Sequence, residues 1–238
     1  KRPVVHRHGE SRLDPLARRK RRIARMRGQG TTDRNEQQVR LVILAEKIKL
    51  TTPFRKQTLS DEWFNNLVKL SSNSNGPQEA VKYLEKAGIR LIIVPHLANT
   101  YLDGAALMLK DGPVVGITLR YDRLDSFWFV LLHELIHIKE HLIKDRTEII
   151  FDDLDCVSGS DIEVKTDEAA AEVLIPKSKW DLCLARYIRT RESIGIFSAE
   201  YGISPVIVAG RIRREAKNYT IFTDMVGQGE VRKLFPEV

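Results

Sequence analysis

The sequence feature that most constrains the fold is the motif HELIH, which begins at His133 and follows an apolar run at residues 127–132. The stretch 125–144 contains no Pro or Gly and is too long for one strand, so it predicts a helix. On a helix, residues four apart lie on one face, about 6 Å apart along the axis. His133 and His137 are therefore placed to bind one metal ion, with Glu134 beside them.

The chemistry of this HExxH spacing suits zinc. Two imidazoles bind Zn²⁺ at about 2.0–2.1 Å, and a neighbouring carboxylate can accept a proton from water whose pKa falls to about 7 in such sites. The bare motif also occurs by chance, but the preceding apolar run predicts burial, and buried polar groups need partners. His141 lies eight residues past His133, about 12 Å along the axis. We interpret it as a packing or polar-face histidine and look for the third ligand elsewhere.

The best source of a third ligand is the Ala-rich stretch 161–176, which predicts a second helix that ends before Pro176. Its three- and four-residue spacing places one set of side chains on a single face, namely Glu163, Asp167, Ala170, Ala171 and Leu174. Two acids at the head of an apolar face are explained if Glu163 binds zinc and Asp167 accepts the free N–H of a ligating histidine. The alternative is that these acids only complement the helix dipole.

Taken together, these motifs resemble the ImmA/IrrE family of zinc metallopeptidases, a gluzincin-type group. The similarity runs from about residue 53 to residue 215. Further matching pieces are residues 88–95, Asp103-Gly104-Ala105, residues 203–205 and residues 208–211. The sequence departs from the family pattern at Ala169 and at Thr166-Asp167, and neither departure touches the proposed ligands.

These residues predict a zinc-dependent endopeptidase in which His133, His137 and Glu163 hold Zn²⁺ and Glu134 is the general base. The resemblance implies a protein substrate, typically a helix-turn-helix transcriptional repressor that is cleaved to relieve repression. One alternative is a transcriptional regulator or HigA-type antitoxin whose zinc domain is a sensing or structural module without proteolysis. Another is an enzyme for a small amide. Candidates for an additional oxyanion partner are Arg120, Tyr121 and His96, although no spacing ties them to the metal.

Composition describes an ordinary globular protein, with 42% hydrophobic and 30% charged residues. No apolar run approaches the length of a membrane span, and the basic first residues do not form a signal peptide. The two cysteines, Cys156 and Cys183, do not form a CxxC pair. We therefore predict a cytoplasmic protein without a membrane partner.

The positive charge is concentrated at the N-terminus. Residues 1–27 hold eleven Lys and Arg residues against two acids, so they carry +9 in a chain of net charge +7. The densest cluster is Arg18, Arg19, Lys20, Arg21 and Arg22. It predicts either a nucleic-acid contact or a solvated basic linker, and a DNA-binding domain upstream of Lys1 is a related expectation.

The predicted fold is α+β: a zincin-like small twisted sheet packed on helices with an HExxH helix, plus helical N- and C-terminal segments. The predicted domains are residues 1–50, a basic helical extension, 51–190, the metallopeptidase domain, and 191–238, a C-terminal helical module. Further elements are helices at 35–50, 60–69 and 76–87, a strand at 90–95, a hairpin of 107–109 with 114–119, and an exposed acidic loop at 147–160.

Residues 195–215 have the spacing of a helix-turn-helix. Pro205 and small apolar residues at the start of the second helix favour packing or repressor contact over base reading. Under the DNA-binding alternative, four cations would face phosphate: Arg211, Arg213, Arg214 and Lys217.

Overall fold

The computed structural model describes residues 32–95, 103–143, 149–151 and 161–238. Within these ranges it shows an α+β fold, as predicted, with ten α-helices and one four-stranded sheet. The predicted basic cluster (Arg18, Arg19, Lys20, Arg21 and Arg22), His96 and Cys156 lie outside the described residues. In chain order the elements are α1 (Thr32–Lys47), α2 (Asp61–Lys69), α3 (Gly76–Lys86), β1 (Arg90–Val94), β2 (Gly104–Leu109), β3 (Gly112–Thr118), α4 (Leu124–His137), β4 (Ile149–Phe151), α5 (Asp161–Leu174), α6 (Lys177–Trp180), α7 (Leu184–Ile188), α8 (Arg191–Tyr201), α9 (Pro205–Glu215) and α10 (Glu230–Leu234).

The sheet has the strand order β1-β3-β2-β4. β1 runs parallel to β3, and β2 runs antiparallel to both β3 and β4. The predicted hairpin is therefore confirmed. The acidic stretch 147–160 was predicted to be a loop, and this is wrong for Ile149–Phe151, which pairs with β2. Three residues are too few to show an alternating pattern, so only the pairing partner reveals this strand.

Both faces of the sheet are covered, and the strands alternate accordingly. In β1, Leu91 and Ile93 join the main core, whereas Ile92 and Val94 pack with Leu41 and other residues of α1 on the opposite face. A strand that is covered on both faces is buried along its whole length, which explains why β1 continues after Arg90 as an unbroken apolar run.

The main core lies on the face of the sheet opposite α1 and includes residues from Leu59 to Phe235. Helix α4 supplies large side chains to it, among them Phe127, Trp128 and Leu131. Helix α9 packs directly on α4 and adds further apolar side chains. Because α4 contacts both the sheet and the C-terminal helices, its position is fixed from two sides. Among the described helices none is long and apolar enough to cross a lipid bilayer.

Candidate metal centre

Helix α4 holds the two histidines and the glutamate of the HExxH motif inside the protein. The exposed fractions are 4% for His133 and 0% for both Glu134 and His137. Burial of three ionisable side chains costs free energy unless each meets a polar or charged partner. The arrangement around them must therefore supply such partners.

Helix α5 brings Glu163 to the paired imidazoles. The Nε2 atoms of His133 and His137 are 2.9 Å apart, and Glu163 Oε2 lies 3.2 Å from the first and 3.4 Å from the second. A tetrahedral ion with ligands at about 2.0–2.1 Å separates its ligand atoms by about 3.3–3.4 Å. The three atoms therefore have the spacing of one face of such a coordination shell, and these residues form a cluster that fits a metal ion.

Asp167, one turn further along α5, orients the first imidazole. Its Oδ1 lies 3.0 Å from His133 Nδ1. An ionised carboxylate only accepts hydrogen bonds, so Nδ1 of His133 carries the proton and Nε2 presents its lone pair to Glu163 Oε2. Two acceptor atoms that face each other require a cation or a proton between them. The donor set thus fits a bound divalent metal. Asp167 accepts the hydrogen bond from the other ring nitrogen of His133, as carboxylates beside metal-binding histidines commonly do.

The pKa values of these acids are consistent with a cation-binding site. With a proton in place of the metal ion between these atoms, hydrogen bonds from His133 and then His137 hold the pKa of Glu163 well below its usual range, although burial acts in the opposite direction. For Asp167, burial raises the pKa, but the hydrogen bond with His133 and the charge of Arg214 together outweigh it, so the pKa is lowered. Both carboxylates are therefore ionised at neutral pH and available as acceptors.

Arg214 on helix α9 links the C-terminal helices to this centre. Its Nη2 donates to Asp167 Oδ2, and its guanidinium lies 4.2 Å from the ring centre of Phe129 on α4. A hydrogen-bonded chain thus runs from α9 through Asp167 to His133. Under the DNA-binding alternative Arg214 would face phosphate, whereas in the structure its guanidinium has an intramolecular partner.

Glu134 fits between α4 and the sheet because β2 begins with a glycine. A Cβ built on Gly104 would lie 2.7 Å from Val130 Cγ1, 2.9 Å from Glu134 Cγ and closer still to Glu134 Oε1. A glycine within a strand commonly marks such a close approach. The side chain of Glu134, one residue from His133 and three from His137, is therefore positioned by the start of β2.

A match to a family model shows which family of known proteins this chain belongs to. The model of the Peptidase_M78 family, described as the IrrE N-terminal-like domain, matches residues 84–213, more than half of the chain. The chain belongs to this family. This match confirms the resemblance predicted from the motifs. The family is one of metallopeptidases. A search of the curated proteins finds no match.

The matched range of this IrrE-like domain includes the whole predicted centre. His133, Glu134, His137, Glu163 and Asp167 all lie inside it. The range also extends through α8 and most of α9. Arg214, the partner of Asp167, lies one residue beyond the end of this range.

A cavity of about 320 Å³ lies beside the candidate metal centre of this IrrE-like domain. His133 and Asp167 form part of its wall. We call it the lateral pocket, and its apolar wall consists of Phe129, Val130, Ala171, Leu174 and Ile207. It therefore lies among α4, α5 and α9.

Other residues singled out in the sequence lie away from the cluster. His141 is within a π-helical turn, Ile138–Leu142, that continues α4, and it is not part of the metal-compatible group among the described residues. Arg120 pairs with Asp103 at 3.6 Å and lies over the ring of Tyr121, which is largely exposed. Neither residue lines the lateral pocket, so the oxyanion partner stays unassigned.

Under the DNA-binding alternative the arginines of α9 would face phosphate, whereas in the structure they have partners within the fold. Arg211 donates to the main-chain oxygens of Ala171 and Ile175. Arg213 is buried and donates to the oxygen of Tyr219. These two arginines therefore donate to carbonyl groups within the fold.

Two residues that matter for the centre were not identified from the sequence as parts of it. Gly104 was noted only within a family block, and a glycine in a predicted strand was the available signal for a close approach. For Arg214 the sequence offered only a cation on a helix, and its partner lies 47 residues away. The contact between Arg214 and Asp167 depends on the length of the arginine side chain and on tertiary packing, and local spacing in the sequence does not reveal it.

Proposed function

We propose that this protein is a zinc-dependent endopeptidase. The observation that carries the proposal is the convergence of His133 Nε2, His137 Nε2 and Glu163 Oε2 within 3.4 Å of one another, next to the buried carboxylate of Glu134. These three residues would hold Zn²⁺. When bound there, the ion supplies Lewis-acid polarisation of the scissile carbonyl and lowers the pKa of water.

The residues of the chain divide the remaining work. Glu134 accepts the proton of the attacking water and later donates it to the departing amine, so one carboxylate serves as base and then as acid. Asp167 keeps His133 in the tautomer that binds metal and fixes its ring. Burial of the site limits water access, which strengthens each of these electrostatic interactions.

We further propose that the substrate is a protein, and specifically a helix-turn-helix repressor whose cleavage relieves repression. Membership of a peptidase family supports a protein substrate. The repressor itself is supported by the ImmA/IrrE resemblance alone. The alternative of a non-proteolytic regulator or antitoxin receives no support from α9, because its arginines already have partners within the fold.

The test incubates the zinc-loaded full chain with candidate helix-turn-helix repressors, starting with any encoded beside its gene, and follows cleavage by mass spectrometry. We expect cleavage that stops with a chelator and in Glu134→Gln, while this variant keeps the fold and the metal. Glu168→Gln, an exposed acid on α5, is the matched control and should cleave normally. If Glu134→Gln retained the full biological effect, the non-proteolytic alternative would replace this proposal.

A further inference from the structure

The lateral pocket is a cavity that the chemistry proposed so far does not use. It shares a wall with the metal centre through His133. Through this shared wall, a side chain next to the scissile bond of a peptide held at the three ligands would enter the cavity. Its volume of about 320 Å³ is at the lower end for small-molecule sites. That is ample space for one large side chain.

The charges that line the lateral pocket are already paired. Three of these residues are arginines and three are aspartates. Arg123 binds both carboxylate oxygens of Asp125 at 2.9 and 3.2 Å, and Arg214 binds Asp167. The third arginine, Arg211, donates to main-chain oxygens of α5. The lining is thus electrically balanced, and a charged side chain would have to compete with existing ion pairs after losing its water.

The uncharged part of the wall favours apolar contact. Phe129 and Val130 come from α4, Ala171 and Leu174 from α5, and Ile207 from α9. Burial of an apolar side chain against such a wall contributes about 25 cal/mol per Å² of surface removed from water. Ala171 is the smallest of these side chains, so its position leaves space that a bulky substrate group can fill.

We propose that the lateral pocket is the specificity subsite of the peptidase, and that it binds a bulky, uncharged apolar side chain of the residue flanking the scissile bond. Leu, Met and Phe have the required size and chemistry, whereas Asp, Glu, Lys and Arg do not. This inference rests on the proposed function, since it assigns the cavity to a substrate held at the metal ligands.

The test measures binding instead of turnover. Hydroxamate-capped dipeptides that differ only in the side chain next to the hydroxamate are titrated into the zinc-loaded full chain by calorimetry. We expect the Phe and Leu probes to bind at least about tenfold more tightly than the Ala probe, in line with the discrimination that apolar pockets achieve. Probes with Glu or Lys should bind no more tightly than the Ala probe.

Two variants of α5 separate the subsite from a general effect on the helix. Ala171→Leu fills the lateral pocket and should bring the Phe and Ala probes to nearly equal affinity. Ala169→Leu is the matched control, because Ala169 is on the same helix and packs against the main core instead of lining the pocket. This control should preserve the tenfold preference.

The outcomes are distinguishable. Equal affinity of all probes for the unmodified protein, or a preference that survives Ala171→Leu, would overturn the subsite and leave the zinc peptidase intact. If no hydroxamate bound to the zinc-treated protein, the metal centre itself would be overturned, and the subsite with it. Cleavage of an unbiased peptide library at bonds without an adjacent apolar residue would also contradict the subsite alone.

Discussion

Replacement of Gly104 by alanine tests whether the start of β2 positions the carboxylate of Glu134, the proposed general base. The new Cβ would lie 2.9 Å from Glu134 Cγ, whereas carbon atoms in contact lie about 3.5–4.0 Å apart. The side chain of Glu134 must therefore shift by at least about 0.6 Å. Because Glu134 is fully buried, this movement has little free space. Overpacking of this kind costs about 1–3 kcal/mol, and the reduced entropy of the unfolded chain offsets about 0.4–1 kcal/mol of it.

The expected result of Gly104→Ala is a loss of about 1–2 kcal/mol in the free energy of unfolding and a fall in kcat of about 10–100-fold. Zinc affinity should change little, since the added methyl group meets Glu134 and Val130 instead of the three ligands. Urea unfolding, zinc titration and peptide cleavage measure these quantities. Gly195→Ala in α8 is the control, because a Cβ there meets no atom within 4 Å. It should stabilise the protein by about 1 kcal/mol with unchanged kcat. Normal stability and full turnover of Gly104→Ala would refute the positioning argument.

Three further outcomes follow from the centre. In a chelator competition assay, Asp167→Asn and Arg214→Met should each weaken zinc binding, Asp167→Asn by about 10–100-fold. The control is Arg191→Met, which breaks an exposed ion pair with Asp224 and should leave zinc binding unchanged. Glu163 has a lowered pKa, so in the metal-free protein its contribution to stability is present above about pH 4.3 and is lost as the pH falls below that value. Urea midpoints of metal-free Glu163→Gln should accordingly decline less steeply with acid than those of the unmodified protein. An equally steep decline would show that Glu163 is not paired with the histidines.

The parts of the centre that the sequence could predict are those set by helix periodicity. The four-residue spacing of His133 and His137, and the same spacing of Glu163 and Asp167, places each pair on one face whatever surrounds the helix. Because α4 and α5 are both long and uninterrupted, the two pairs could be expected to meet at one point. The structure shows these four side chains together.

The parts that could not be predicted depend on contacts between distant segments. Arg214 was considered only as a cation that would face phosphate under the DNA-binding alternative, because a cation on a helix face looks the same whether its partner is a nucleic acid or Asp167. The role of Gly104 depends on how closely β2 approaches α4, which no local pattern encodes. The short strand β4 was missed for a related reason, since its three residues are defined only by their pairing with β2.

The most direct test of the central claim is the zinc content and affinity of the purified full chain, compared with those of Glu163→Ala and of the control Glu168→Ala. If His133, His137 and Glu163 hold one ion, the unmodified protein and the control bind one zinc per chain, and Glu163→Ala loses tight binding. Equal, tight, one-to-one binding by Glu163→Ala would contradict the centre described here, as would the failure of the unmodified chain to bind zinc.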